Sequence, residues 1–331
     1  MKRLVVFVFL SLLAHQSAGQ VPPSEGVPRT ADGRPDLTGL WTTQTFTPLQ
    51  RPEEFGERSF LTDEEVVTLT RVLTAPGVDP LRGRAFADAV SVDVDRRTAA
   101  TEQADPTHYD NSMWLRTADP KGLSSRRTSL IVDPTDGRIP SRTEEGLMRA
   151  QQRRDQRGYD SYQNRPAQER CLVWTHEGPP MMPPPYNDLY QIFQTPDHVV
   201  VFAEMANNPP RIIGTNGGDH VSPRIRQWPG HSIGRWEGDT LVVDTTNFTE
   251  KTGFQGSGDS LRVVERFTRL DADTIRYEFT VEDPTTWSRP WSVQLPMVKT
   301  QGPLYPYTCH EGNYGMVNTL RGARRADGEG R

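Results

Sequence analysis

The chain has 331 residues, 38 Lys and Arg against 43 Asp and Glu, a formal net charge of -5, and 34% hydrophobic residues. That length suits one large cored domain or two smaller ones, and the mild acidic balance gives no general attraction to nucleic acid. The basic runs "QQRRDQR" and "RGARRADGEGR" are short and interrupted by acids, and they read as solvated surface.

The N-terminal "MKRLVVFVFLSLLAHQSAGQ" has Lys2 and Arg3, then the apolar run Leu4 to Ala14, then small residues before Gly19. This pattern predicts a secretory signal over 1–19, too short for a membrane span. A periplasmic or secreted location is expected, with no integral membrane segment in the mature chain. Residues 20–36 predict an extended N-terminal segment. A single β-rich domain is expected over 37–320, with a helical and loop insertion around 60–165 and a flexible polar tail over 321–331.

Within that domain "LTGLWTTQTF" predicts a first strand. In "SFLTDEEVVTLTRVLTA", Thr62 and Glu65 have capping-box spacing, and Val66, Leu69 and Leu73 recur at helical spacing. Pro76 to Pro120 reads as a long covering loop with a short helix around "GRAFADAV". "SRRTSLIVDPTDGRIPSRT" predicts a strand, a turn and a short extended piece. "TEEGLMRAQQRRDQRGYDSYQN" predicts a polar helix lying across the fold, with Leu147 and Met148 as its apolar contacts.

From Leu189 onward the pattern is one of successive strands: "LYQIFQT", "HVVVFAEM", "PRIIGT", "SIGRWEGDTLVVDTTNF", "LRVVERFTRLDADTIRYEFTVED" and "WSVQLPMVKT". The pair around "LDAD" alternates most regularly, so one side of each strand can pack while the other faces water. Many short antiparallel strands need closure or face-to-face packing to protect their edges. The expected fold is therefore mainly β, a single curved antiparallel sheet or lipocalin-like barrel decorated by long loops and two or three short helices. Cys171 and Cys309 are the only cysteines. Export permits them to pair, and a disulfide is predicted.

The stretches "PRTADGRPDLTGLW", "TSLIVDPTDGRIP", "PPPYNDLYQI", "GRWEGDTLVVDTTNF", "ERFTRLDADTIRYEFTVEDPTTWSRPW" and "CHEGNYGM" span most of the mature chain. Through them it resembles a widespread family of exported bacterial proteins, a resemblance that transfers no catalytic role. Gly39 and Trp41 of "LTGLW" also resemble the Gly-x-Trp opening strand of lipocalin-like barrels, which implies a Trp closing one barrel end.

Chemistry is suggested by two His-Glu-Gly triplets, each following a cysteine. His176, Glu177, His310 and Glu311 are the expected catalytic groups, since imidazole and carboxylate offer acid/base work. Tyr186, Tyr190, Arg211, Trp287, Arg289, Trp291 and Tyr307 are expected to bind substrate, the aromatics as flat walls and the arginines as carboxylate partners. Neither triplet has the compact ligand spacing of a zinc motif, and His108, His220 and His231 could complete a site only from afar. No metal or cofactor is therefore expected. Asp219 beside His220, and Glu204, are further acid/base candidates. There is no G-x-S-x-G elbow, P-loop or dinucleotide fingerprint.

Two functions fit these residues. One is an exported enzyme acting on a small or aromatic organic substrate by His/Glu acid-base chemistry, of lyase, isomerase or hydrolase type. The other is a periplasmic ligand-binding or structural envelope protein without catalytic activity. Either has a possible small aromatic or carboxylate ligand as its partner, and the oligomeric state is unspecified.

Overall fold

The computed structural model describes residues 26–73, 123, 125–174, 176–184, 187–305 and 307–329. The expected signal over 1–19 and the short helix around "GRAFADAV" lie outside them. The strands are β1 (Gly39–Thr42), β2 (Ile131–Asp133), β3 (Leu189–Gln194), β4 (His198–Ala203), β5 (Arg211–Gly214), β6 (His231–Glu237), β7 (Thr240–Thr246), β8 (Arg262–Arg269), β9 (Thr274–Glu282) and β10 (Trp291–Lys299). The α-helices are α1 (Asp63–Leu73), α2 (Glu144–Asp155) and α3 (Tyr314–Glu329).

The sheet order is β1-β3-β4-β5-β6-β7-β8-β9-β10-β2, and β1 also pairs with β10. That last pairing closes nine strands into a barrel and removes the exposed edges an open sheet would carry. The mainly-β barrel expected from the sequence is thus present. Neighbours are antiparallel except β5 and β6, which run parallel and pair only at Gly214 and Ile233. Pro296 sits in β10 between Val293, the last residue paired with β2, and Val298, the first paired with β1. A residue without an N–H is tolerated at such a gap in the ladder.

Alternation along β8, β9 and β10 decides which side chains fill the barrel. Val263, Glu265, Phe267, Arg269, Ile275, Tyr277, Phe279, Val281, Trp291, Val293, Leu295 and Met297 are buried, and the strand residues alternating with them are more open. Trp41, Tyr190 and Ile192 join the same core from β1 and β3. Trp41 is fully buried and its indole N–H donates to the Leu37 carbonyl at 2.9 Å. The Arg269 guanidinium lies 4.7 Å from the Trp41 ring centroid and donates to the carbonyls of Asp36, Asp271 and Ala272. One side chain therefore ties the start of the domain to the β8–β9 turn. Gly39 has φ +149°, and a Cβ there would meet the Trp41 ring at 3.3 Å, so both backbone and packing require glycine.

The capping box of α1 forms as its spacing predicts. Glu65 accepts from the Thr62 N–H at 2.8 Å, and Thr62 Oγ1 accepts from the Glu65 N–H at 3.2 Å. α2 differs from expectation. Leu147 and Met148 are 57% and 60% exposed, and the helix instead approaches the barrel through Gly146, where a Cβ would lie 2.6 Å from the Thr286 carbonyl oxygen. Thr143 caps α2 by accepting from Gly146 N–H and donating to the Thr285 carbonyl at 2.7 Å. Arg149 completes the clamp with bonds to the Thr285 and Thr286 hydroxyls at 2.9 and 2.8 Å. Polar contacts hold this helix because its sequence is too charged to offer an apolar stripe. Residues 321–329, within the stretch expected as a polar tail, are part of α3.

Candidate functional site

Cys171 and Cys309 form the predicted disulfide. It fastens the loop after Pro166 to the segment that leads into α3, and Asn313 Nδ2 adds a bond to the Glu169 carbonyl at 2.8 Å. The two triplets beside it have opposite fates. His176 is 3% exposed, and its Nε2–H donates to the backbone carbonyl of Glu204 at 2.8 Å. Glu177 is buried and its carboxylate accepts from the backbone N–H groups of Trp174, Asn207 and Asn208 and from the Asn208 side chain, at 3.0, 2.8, 3.2 and 2.6 Å. Each of those donors would be costly to bury without a partner. His310 and Glu311 are exposed. No hydrogen bond or ion pair joins the two triplets among the described residues.

Burial pushes the His176 imidazole below its ordinary pKa, opposed by the Glu204 carbonyl and by the Glu177 and Asp188 charges. A folded pKa below the unfolded one gives stability that is full above pH 6.5 and is lost as pH falls through the folded value. Urea denaturation of the wild type and of His176→Gln tests this. The stability gap between them is expected to be wider at pH 8 than at pH 5, and an equal gap at both would contradict it.

The expected substrate-binding residues are scattered. Tyr190, Trp287 and Trp291 belong to the barrel core, at 2% exposure or less. Trp291 is stacked with Phe254 and edge-on to Trp287 and Phe279, so the aromatic cluster fills its own space. Arg289 pairs with Asp133 at 2.7 Å in the open, a contact of about 0–1 kcal/mol. Tyr307 is at the surface, and Tyr186 lies outside the described residues.

Arg211 is the exception, since it reaches the interior. Where β5 and β6 separate, its guanidinium crosses the gap, donating to Ser232 Oγ at 2.9 Å and Thr245 Oγ1 at 3.1 Å, and forms a bidentate ion pair with the fully buried Glu265. Tyr277 donates to Glu265 Oε1 at 2.7 Å and accepts from the Met181 N–H at 2.9 Å. Burial, and then the Glu265 charge, push the Tyr277 hydroxyl well above its ordinary pKa, so it stays a donor. A hollow of about 250 Å³ opens over this seam, with Glu177, Arg211, His231 and Ser232 among its lining. His231 Nδ1 is 3.0 Å from His220 Nδ1, so one imidazole donates to the other. Asp219 is exposed beside them. Among the described residues no group of three His, Cys, Asp or Glu can hold a metal ion.

Two further hollows were not anticipated. Two clefts, of about 300 and 370 Å³, adjoin on the barrel flank and share Arg153, Arg157, Pro166, Ala167, Trp228 and Lys251. Trp174 and Phe254 add aromatic walls to the first. Four separate segments meet here: the C-terminal end of α2, the disulfide-tethered loop, the β5–β6 loop and the loop after β7. The clamp on Thr285 and Thr286 places Arg153, and a bond from Arg153 to the Glu250 carbonyl at 2.7 Å holds α2 to the loop after β7.

Comparison with protein-family models, curated proteins and solved structures gives no match. No helix among the described residues is long and apolar enough to cross a membrane.

Proposed function

We propose that the protein is an exported ligand-binding protein whose site is the flank cleft between α2 and the barrel, with the barrel interior as its rigid support. The cleft lined by Trp174, Trp228 and Phe254 carries this reading. Its first part alone, about 300 Å³, falls at the lower end of small-molecule sites, and flat aromatic walls with a few polar groups are their usual lining. The acid/base enzyme expected from the sequence is less favoured. His176 and Glu177 spend their polar atoms on loop backbone, and His310 and Glu311 stand in solvent.

Calorimetric titration with two planar probes, 1-naphthamide and 1-naphthoate, tests the reading. At least one is expected to bind saturably to the wild type and at least about tenfold more weakly to Trp228→Ala, as loss of a stacking wall implies. Equal binding by Trp228→Ala would move the site elsewhere. Turnover lost in Glu311→Gln or His310→Gln would restore the enzyme reading.

A further inference from the structure

We infer that the ligand of the flank cleft is an organic anion, a planar apolar body carrying a carboxylate or similar oxyanion, held by Arg153, Arg157 and Lys251. This rests on the cleft being the ligand site and adds the charge class of what it takes. The net charge of the chain is -5, yet this hollow concentrates cations. Arg149 and Arg165 at its outer part have carboxylate partners, Glu145 and Glu169. Arg153, Arg157 and Lys251 have no ion pair among the described residues. Cations left unpaired in a concave, partly dry site raise the local concentration of anions.

Arg153 decides the matter because it is half-buried. Taking a guanidinium partly out of water disfavours its charge unless an anion compensates. Burial accordingly pushes its pKa down, Arg149 pushes the same way, and Glu250 and Asp283 only partly oppose them. Its hydrogen bond to the Glu250 carbonyl leaves further donors of its fork open. Trp174 lines the same cleft. An oxyanion offers acceptors to the open donors of Arg153 while its apolar body lies against Trp228 and Phe254.

Paired probes of equal shape and different charge make the test. With 1-naphthoate and 1-naphthamide in calorimetry at low ionic strength, the acid is expected to bind at least about tenfold more tightly than the amide. Arg157 and Lys251 are exposed and make no side-chain hydrogen bond or ion pair among the described residues, so the double variant Arg157→Gln, Lys251→Gln is expected to keep its thermal unfolding midpoint. It should lose at least about threefold of that preference, and 0.5 M NaCl should shrink the wild-type preference by screening. Arg153→Gln is expected to remove most of what remains. Equal affinity for acid and amide, or tighter binding of the amide, would overturn the anion while leaving a Trp228-dependent cleft intact. Binding of neither probe would overturn the cleft and the anion together.

Discussion

Replacing Arg211 with Met is expected to cost about 3–5 kcal/mol of folding stability, the range for leaving one member of a buried ion pair without its partner. Glu265 is fully buried and faces the barrel core, where Arg211 supplies two of its hydrogen bonds and Tyr277 a third. Without Arg211 the carboxylate must protonate or draw in water, and either route opposes the folded state. Guanidinium chloride denaturation measures the loss. The double variant Arg211→Met, Glu265→Gln is expected to recover more than half of it, since a neutral amide keeps an acceptor for Tyr277 without an uncompensated charge. A single variant within about 1 kcal/mol of wild type would show that the pair is dispensable.

Removal of the disulfide is the other large effect. Cys171 and Cys309 are 138 residues apart, and the loop-closure model assigns roughly 5 kcal/mol to a loop of that size. The double variant Cys171→Ser, Cys309→Ser is expected to unfold at a clearly lower denaturant midpoint than the oxidised protein. Wild type kept in reducing agent should behave alike. The cleft should suffer too, because Pro166, Ala167 and Trp174 flank Cys171 on the tethered loop. Probe affinity is therefore expected to fall even under conditions where the reduced protein is still folded. An unchanged midpoint after reduction would contradict the stabilising role.

The barrel was legible in the sequence because a half-buried strand writes its environment with period two. "TIRYEFTVE" shows this, since its four apolar residues Ile275, Tyr277, Phe279 and Val281 are all buried and the residues between them are not. The capping box of α1 was legible for the same local reason. Glu265 breaks the pattern, as a charge on an inward-facing position. Its partner Arg211 is 54 residues away and carries no local signal of the pairing. Arg211 was expected to hold a substrate anion, and its carboxylate turned out to be internal.

α2 was legible as a helix but not in its orientation. The contact is made by Gly146, a residue that periodicity does not count as apolar, and by hydrogen bonds from Thr143 and Arg149. The cleft was the least visible feature. Arg153 and Arg157 belong to "QQRRDQR", which reads as solvated surface until Trp174, Trp228 and Lys251 are brought beside it. Basic side chains four residues apart at the C-terminal end of a helix are favoured by the helix dipole alone, so their presence did not distinguish a site from a surface. Conversely, the His-Glu triplets drew attention by repetition, while Glu177 serves as an acceptor for loop N–H groups that no sequence pattern announces.

A crystal structure of the oxidised protein with 1-naphthoate is the most direct measurement of where this molecule binds. Ligand density between Trp174 and Trp228, with the carboxylate within hydrogen-bond distance of Arg153, is the expected result. Density over the β5–β6 seam beside Arg211, or against His310 and Glu311 with the flank cleft empty, would contradict it.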